Sequence, residues 1–487
     1  MPAYADISRR EGTQILRSGQ GKTNHQFPNT TATMSNIHSF ATPPPAPATS
    51  NSRYPGWVLL SSTVLVSDVQ NETTAGTLTR AGLPIQASFV FADPPRLSHF
   101  CVYCLNSYEI SFVNAPSVVC SVEDTALIKV MITAKDSPHY FLYRTRGPSG
   151  GPSLDLLPDI RQYSKTERLF PSLGFVTHGN GKQFVMAALS YGAKHGQYNL
   201  HTIVASQPHA TWSKKLLKVE IPNGHTAKSV TVQPTKLIAL GGGLLGWVDL
   251  WKGIVICDVL DPRAATASFA PMPKLLPSNS ELFGNQYSAR SIRDVAFSCG
   301  YIKCVEFEEL VKLRPAPEPI VVDPSNMDEL LDSELAVSPP QEEEEEEEVY
   351  DVVGWRLVTW YRELTWNRWR KGSLVHSDHL AATVSLPQLG GGAALNVTFK
   401  SLKTASPTLR ADADIVYLVS MLDEDDDDQT LWIVTVDTRT KSLGEVMPFS
   451  AHPSRIYDPP FIPCVLTKYL DTKSGNYTVT CLSYDTD

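Results

Sequence analysis

The sequence predicts an all-β chain, a β-propeller-like ring of six or seven blades, and three observations carry that expectation. Apolar runs are short and alternate with polar residues, each run is closed by Gly, Pro, Asn or Asp, and a strand–turn–strand unit recurs along the chain. The 36 prolines and 29 glycines are spread throughout, which disfavours long helices. With 487 residues and 42% hydrophobic content, the chain can bury a large core.

Residues 1–53 are polar, rich in Ser, Thr and Asn, and end in the run Pro43 to Pro45. Such a composition cannot bury enough apolar area to offset the entropy of ordering, so a disordered N-terminal extension is expected. Met34 offers an alternative start, and the mixture of Arg with acidic residues ahead of it does not fit a transit peptide. Order is expected from Trp57, where WVLLSSTVLVSD reads as a strand. Strands follow in GLPIQASFVFADPP, HFCVYCLNSYEISFV, ALIKVMITA, HYFLYRT, GNGKQFVMAALSY, YNLHTIVAS and TWSKKLLKVEIP, with turn residues between them.

The centre of the pattern is residues 239–261, ALGGGLLGWVDLWKGIVICDVLD. It reads as strand, tight passage, strand: Gly241 to Gly243 allow backbone angles or close approaches that a side chain forbids. Trp247 and Trp251 are large apolar residues with one N–H each, and Asp249 and Asp258 are placed to accept such bonds or to hold turn amides.

Residues 54–314 are thus expected to form the first part of the propeller and 349–487 the remainder. Between them, 315–348 is rich in proline, lacks Lys and Arg and contains seven consecutive glutamates, Glu342 to Glu348. Like charges at that density stay solvated, so a disordered acidic insertion between two strands of one body is expected. Only Met327 to Leu335 shows helical spacing. Strands resume in DVVGWRLVTWYRELTWNRWRKG, DADIVYLVSML and TLWIVTVDTRTKSLGEV, with an acidic hairpin tip at 423–428. A last pair, PCVLTKYLD and NYTVTCLSYD, lies where a closed ring would recruit a late strand to pair with its first blade. NLHTIVASQPHATWSKKLLKVEIP, GWVDLWKGIVICDVLDPRAATASFAPMP and LWIVTVDTRTKSLGEVMPF each read as the closing strands of a four-stranded blade.

The formal charge of -9 is concentrated in two runs, 342–348 and 423–428; without those thirteen acids the rest carries +4. No basic stripe is present, so no nucleic-acid surface is expected. The best apolar run, Ile238 to Val248, is about half the length that spans a bilayer, so no membrane insertion is expected. Eight cysteines lie mostly in strand-like runs, as reduced buried thiols do, so a reducing compartment is expected, and with it a place inside the cell, in the cytoplasm or nucleus. With no secretory signal, the sequons at Asn29, Asn71, Asn396 and Asn476 are not expected to be glycosylated.

Several long motifs in a fixed order resemble the plant proteins catalogued as Domain of Unknown Function 1618. They are WVLL, GLPIQASFVFADPP, GWVDLWKGIVICDVL, PMP, RSIRDVAFSCGYIKCVEFEE and GWRLVTWYRELTWNRWRKG, covering most of 55–383. The resemblance implies no catalytic residues. GLLGWVDLWKGIVICDVLD and TLWIVTVDTRTKS are more distantly similar to blades of the propellers associated with plant F-box proteins. Residues 1–56 do not have the leucine–proline helical segment of the F-box itself.

Cys101 and Cys104, with His99 beside them, have the spacing of half a zinc site, and neither Cys299 with Cys304 nor His376 with His379 supplies a familiar second half. On a strand Cys101 and Cys104 point to opposite faces, which suits packing. Gly147-Pro148-Ser149-Gly150-Gly151 matches a nucleophile-elbow string, but Pro152 and SLDLLP follow in place of a helix, so a hairpin loop is expected. Gly241, Gly243 and Gly246 match a dinucleotide string with no helix after it.

Arg293 and Asp294 face opposite ways on a strand, so each is expected to bond other groups. Trp355, Trp360, Trp366 and Trp369 read as packed core with one or two rings at a rim, or as an aromatic peptide groove. Leu330, Leu331 and Leu335, within Asp328 to Val337, could fold onto a partner groove. No catalytic, cofactor-binding or metal-ligating residue is assigned, and no cofactor is expected. The expected function is a non-enzymatic scaffold that binds protein partners. The alternative is an enzyme with a polar pocket at the propeller channel, drawing on His178, His195, Asp249, Arg293, Asp294 or His376.

Overall fold

A computed structural model describes residues 54–470 apart from 105–111, 113, 133–137, 159–172, 179–182, 205–210, 262, 264, 281–287, 315–349, 390–391 and 423–429. The expectations for residues 1–53, for the insertion at 315–348, for the spacing at 327–335, for the tip at 423–428 and for the strand at 476–485 fall outside the described residues.

The chain order is β1 (Val58–Ser61), β2 (Leu65–Val66), β3 (Ala75–Leu78), β4 (Pro84–Val90) and β5 (Leu97–Cys104). Then come β6 (Asn114–Val122), β7 (Thr125–Met131), β8 (His139–Arg144), β9 (Ser153–Leu156), β10 (Gly174–His178), β11 (Gln183–Tyr191), β12 (Gln197–Val204) and β13 (Ser213–Val219). They are followed by β14 (Lys236–Gly241), β15 (Leu244–Asp249), β16 (Gly253–Asp258), β17 (Thr266–Pro271), β18 (Arg293–Ser298), β19 (Tyr301–Leu313), β20 (Tyr350–Glu363) and β21 (Arg370–His376). The series ends with β22 (Thr383–Leu386), β23 (Leu395–Thr398), β24 (Leu402–Arg410), β25 (Ile415–Leu422), β26 (Leu431–Asp437), β27 (Ser442–Phe449) and β28 (Phe461–Cys464). The one α-helix among the described residues is the single turn Pro277–Ser280, and none of the helices there is long and apolar enough to cross a membrane.

The described residues divide into two units, a smaller one within Glu309–Gly354 and a larger one holding the rest. In the smaller unit Arg314 pairs with Asp351 at 2.5 Å, and Val311, Val352 and Val353 are exposed.

The larger unit is a six-bladed β-propeller. Antiparallel meanders β6–β9, β10–β13, β14–β17, β18–β21 and β24–β27 are five blades of four strands each. The remaining blade, first in sequence, is assembled from both ends of the described chain in the order β28-β1-β5-β4-β3. Val58 lies opposite Cys464 and Ser61 opposite Phe461, while Leu59 and Leu60 run parallel to Leu97 and Ser98. The opening strands of successive blades approach one another, from β6 through β10, β14, β18 and β24 to β28, and β2 meets β6. Thus a late strand does pair with the first blade, although it is the short β28, which leads into the 3-10 turn Leu466–Tyr469 and not into a longer strand.

The core explains why six blades suffice. Six apolar clusters each join two neighbouring blades, and the last, with Trp57, Leu59, Tyr417, Val419, Ile433 and Phe461, joins the sixth to the first. Within β7 the alternation is visible: Ala126, Ile128 and Val130 pack toward the first blade and Leu127 toward the third. Successive side chains on a strand face opposite ways, so inner strands such as β7, β15 and β16 feed two cores and read as nearly continuous apolar sequence, whereas outer strands such as β13 and β17 keep one exposed face. Fully burying one such Val or Leu contributes about 1.5–3 kcal/mol.

The central stretch folds as its residues dictate. Gly241, Gly242 and Gly243 turn the chain between β14 and β15 with φ of 79°, 59° and 91°, a region costly for residues with a Cβ. Asp249 Oδ1 then accepts from the amides of Trp251 (3.0 Å) and Lys252 (3.2 Å), closing the next turn. Asp258 Oδ1 does the same for Leu260 (2.9 Å) and Asp261 (3.2 Å). A further join was not expected: β13 and β17, the outer strands of adjacent blades, pair in parallel through Lys218 with Thr266 and Val219 with Ala267.

Candidate functional site

The charged pair Arg293–Asp294 sits on β18, an opening strand, and both side chains are fully buried. Their opposite facing gives them different partners. Arg293 pairs with Glu306 Oε2 (2.6 Å from Nη2, 3.0 Å from Nε) and donates to the carbonyls of Pro273 (2.9 Å) and Leu250 (3.3 Å). Asp294 accepts from Lys236 Nζ at 2.6 Å and Arg290 Nη1 at 3.2 Å, and its other oxygen accepts from the amide of Leu409 at 2.9 Å. Lys236 stands on β14, Asp294 on β18 and Leu409 on β24, so one carboxylate ties together the opening strands of three consecutive blades. Burial lowers the pKa of Lys236, against the pull of Asp294. Every oxygen of Asp294 is engaged, which makes the cluster a cross-brace.

The other channel candidates do not converge on it. Asp249 is spent on turn amides, including that of Gln233 at 2.9 Å. His195 is exposed in the β11–β12 turn, 3.4 Å from the Thr231 hydroxyl. His178 ends β10, and its side chain is outside the described set. The rings of His376 and His379 lie 5.2 Å apart; burial, with the charges of His379 and Arg356, lowers the pKa of His376.

Gly147–Gly151 is the hairpin loop between β8 and β9, closed by Gly147 N to Gly151 O at 2.6 Å. On β5, Phe100, Val102 and Cys104 face the first interblade core while Cys101 faces away. Burial pushes the His99 pKa down to about 4. The seven described cysteines are all free, and no three His, Cys, Asp or Glu side chains among the described residues gather at metal-ligating spacing.

The tryptophans separate by depth. Trp355 is core between the fifth and sixth blades, Trp360 and Trp369 pack half-buried on the core between the fourth and fifth, and Trp366 stands at the rim in the β20–β21 loop. That loop is held from behind. Buried Arg362 donates to the carbonyl of Trp366, and the Trp369 indole N–H donates to Pro271 O at 2.7 Å.

Around Trp366 an aromatic platform forms from residues far apart in sequence. The Tyr301 ring lies 5.9 Å from Trp366 and 5.9 Å from Tyr361, and Tyr361 lies 6.2 Å from Trp366. The Arg370 guanidinium stacks 4.4 Å over the Trp366 ring, a cation–π contact. Arg368 and Arg370 are exposed, and no carboxylate pairs with either among the described residues. Tyr361 also borders a cleft of about 310 Å³ between the fifth and sixth blades, lined by Lys303, Trp360, Leu409, Asp414 and Arg439 among others. Beside it Asp412 pairs with Arg410 at 2.9 Å and Lys468 at 3.7 Å. Burial pushes the Asp412 carboxyl up, and these cations more than offset it, leaving it below the usual range.

Sequence reasoning singled out Trp366 but not Tyr301, Tyr361 or Arg370. Each sits at the same end of β19, β20 or β21, a shared position that follows from strand pairing and has no local signature.

Comparison with known families matches residues 247–417 to the family described as Protein of unknown function (DUF1618), in keeping with the resemblance read from the motifs. The matched segment runs from β15 into β25 and contains the whole platform. Comparison with curated proteins gives no match. Among solved structures the chain is similar to a variant of an apocarotenoid oxygenase from Synechocystis, at 10% identity and TM-score 0.26 over 81% of this chain and 93% of that one. It is also similar to a europium-containing methanol dehydrogenase, at 9% identity and TM-score 0.22 over 80% and 70%.

Proposed function

We propose, from the premise that this chain carries the DUF1618 family segment at 247–417, that it is a non-enzymatic scaffold binding a protein partner through the platform on its fifth blade. The observation that carries this reading is the Tyr301–Tyr361–Trp366 cluster with Arg370 stacked on it. Trp, Tyr and Arg are the residue types that dominate interface energies, because they present large areas at low conformational cost. The loop is pre-organised by Arg362 and Trp369, so little ordering entropy remains to be lost on binding. The buried charges of the channel strands satisfy one another, which favours a structural role for them over a catalytic one. The protein is taken to act inside the cell, in the cytoplasm or nucleus, without nucleic acid or membrane.

Affinity capture comparing the native chain with Trp366→Ala tests this, with thermal unfolding as the control for folding. The expected result is a reproducible set of co-purified proteins that the variant loses at unchanged Tm. An identical set from both proteins would remove the platform from the function, and a thermal-shift response to small metabolites would move the weight to a channel enzyme.

A further inference from the structure

Resting on the platform reading, we propose that the partner segment is an acidic peptide, one that sets Glu or Asp side chains against Arg368 and Arg370 and an aromatic side chain against Trp366 and the adjoining cleft. Arg370 has one face of its guanidinium on Trp366, so its N–H edge remains to donate outward, and the planar fork suits a carboxylate. Arg368, two residues earlier, is exposed and equally without an ion-pair partner among the described residues. Across the cleft Arg439 is exposed on the sixth blade, its backbone amide tied to Asp437 at 2.8 Å.

The cleft fits one large side chain. Its roughly 310 Å³ is at the low end of small-ligand pockets, and Trp360 and Leu409 supply apolar wall. The surrounding acids decide between a peptide and a nucleic acid. Glu363 is hydrogen-bonded to the Tyr301 side chain beside Arg370, and Asp414 lines the cleft with Arg439, so a continuous row of phosphates laid across the site meets repulsion from both. A peptide can space its carboxylates to avoid them.

The test is fluorescence anisotropy on the full chain with labelled peptides of alternating Glu and Tyr, the same peptides with Gln for Glu, and single-stranded oligothymidine. The expected result is that the Glu–Tyr peptide binds about tenfold or more tightly than the Gln–Tyr peptide and than oligothymidine, with affinity falling as salt rises. Arg368→Gln and Arg370→Gln should each weaken it by about two- to fivefold, the span of an exposed ion pair. Equal binding of the Glu and Gln peptides, no binding of the Glu peptide, or tighter binding of oligothymidine overturns the proposal. These failures are separable from failure of the platform itself: if capture still depends on Trp366 while the peptides bind equally, only the acidic partner falls.

Discussion

At the scale of single residues, burial decides which charges matter. Asp294 is wholly enclosed and is the carboxylate shared by Lys236 and Arg290, so removing it leaves two largely covered cations facing each other without a counter-charge, which costs far more than the pair contributes. Asp294→Ala is expected to destabilise the fold by about 3–5 kcal/mol in chemical denaturation. Asp351→Ala, which breaks the exposed pair with Arg314, is expected to leave the midpoint unchanged. His99 supplies a pH test. Its folded pKa is about 4 against an ordinary 6.5, because burial disfavours the imidazolium. As pH falls below 6.5 the unfolded chain takes up a proton that the folded chain refuses, so stability declines progressively down to about 4. Thermal melts across that range should show the decline in the native protein and a shallower one in His99→Gln. The sequence marked Arg293 and Asp294 as residues that would bond elsewhere, but not to what. Leu409 is 115 residues from Asp294, and no local pattern encodes a contact between blades.

At the scale of elements, the strands were legible because their chemistry is local. Short apolar runs, continuous in the inner strands and alternating in the outer ones, end at Gly, Pro, Asn or Asp, and the GGG passage reads directly as the turn it is. Gly243 shows how strict that turn is. Its φ is 91°, and an added Cβ would lie 2.8 Å from Leu260 Cδ1 and 2.9 Å from Asp258 Oδ1. Gly243→Ala is therefore expected to cost about 1–3 kcal/mol, measured by urea unfolding, whereas a neutral result would mean that the passage can rearrange. The platform was only partly legible. Its Trp366 stood out by composition, but Tyr301 and Arg370 join it through the pairing of β18–β21, and pairing order is a property of the sheet. The parallel join of β13 to β17 was illegible for the same reason.

At the scale of the whole molecule, closure depends on ten residues near the end of the described chain. β28 supplies the antiparallel partner of β1, and Phe461 and Cys464 enter the cores on either side of the first blade. Removing residues 461–470 exposes the β1 edge and opens two of the six cores, so the shortened chain is expected to lose a single cooperative transition in calorimetry. Retention of a sharp melt would mean that the ring does not need its clasp. Such a closed ring would offer partners its loops, and the proposed contact lies at the end of the fifth blade. A photo-crosslinking side chain at Asn367, beside Trp366, compared with one at Leu216 on the exposed face of β13, tests that placement most directly. The expected result is a discrete cross-linked polypeptide from position 367 and none from 216; adducts from 216 with none from 367 would remove the platform as the partner site.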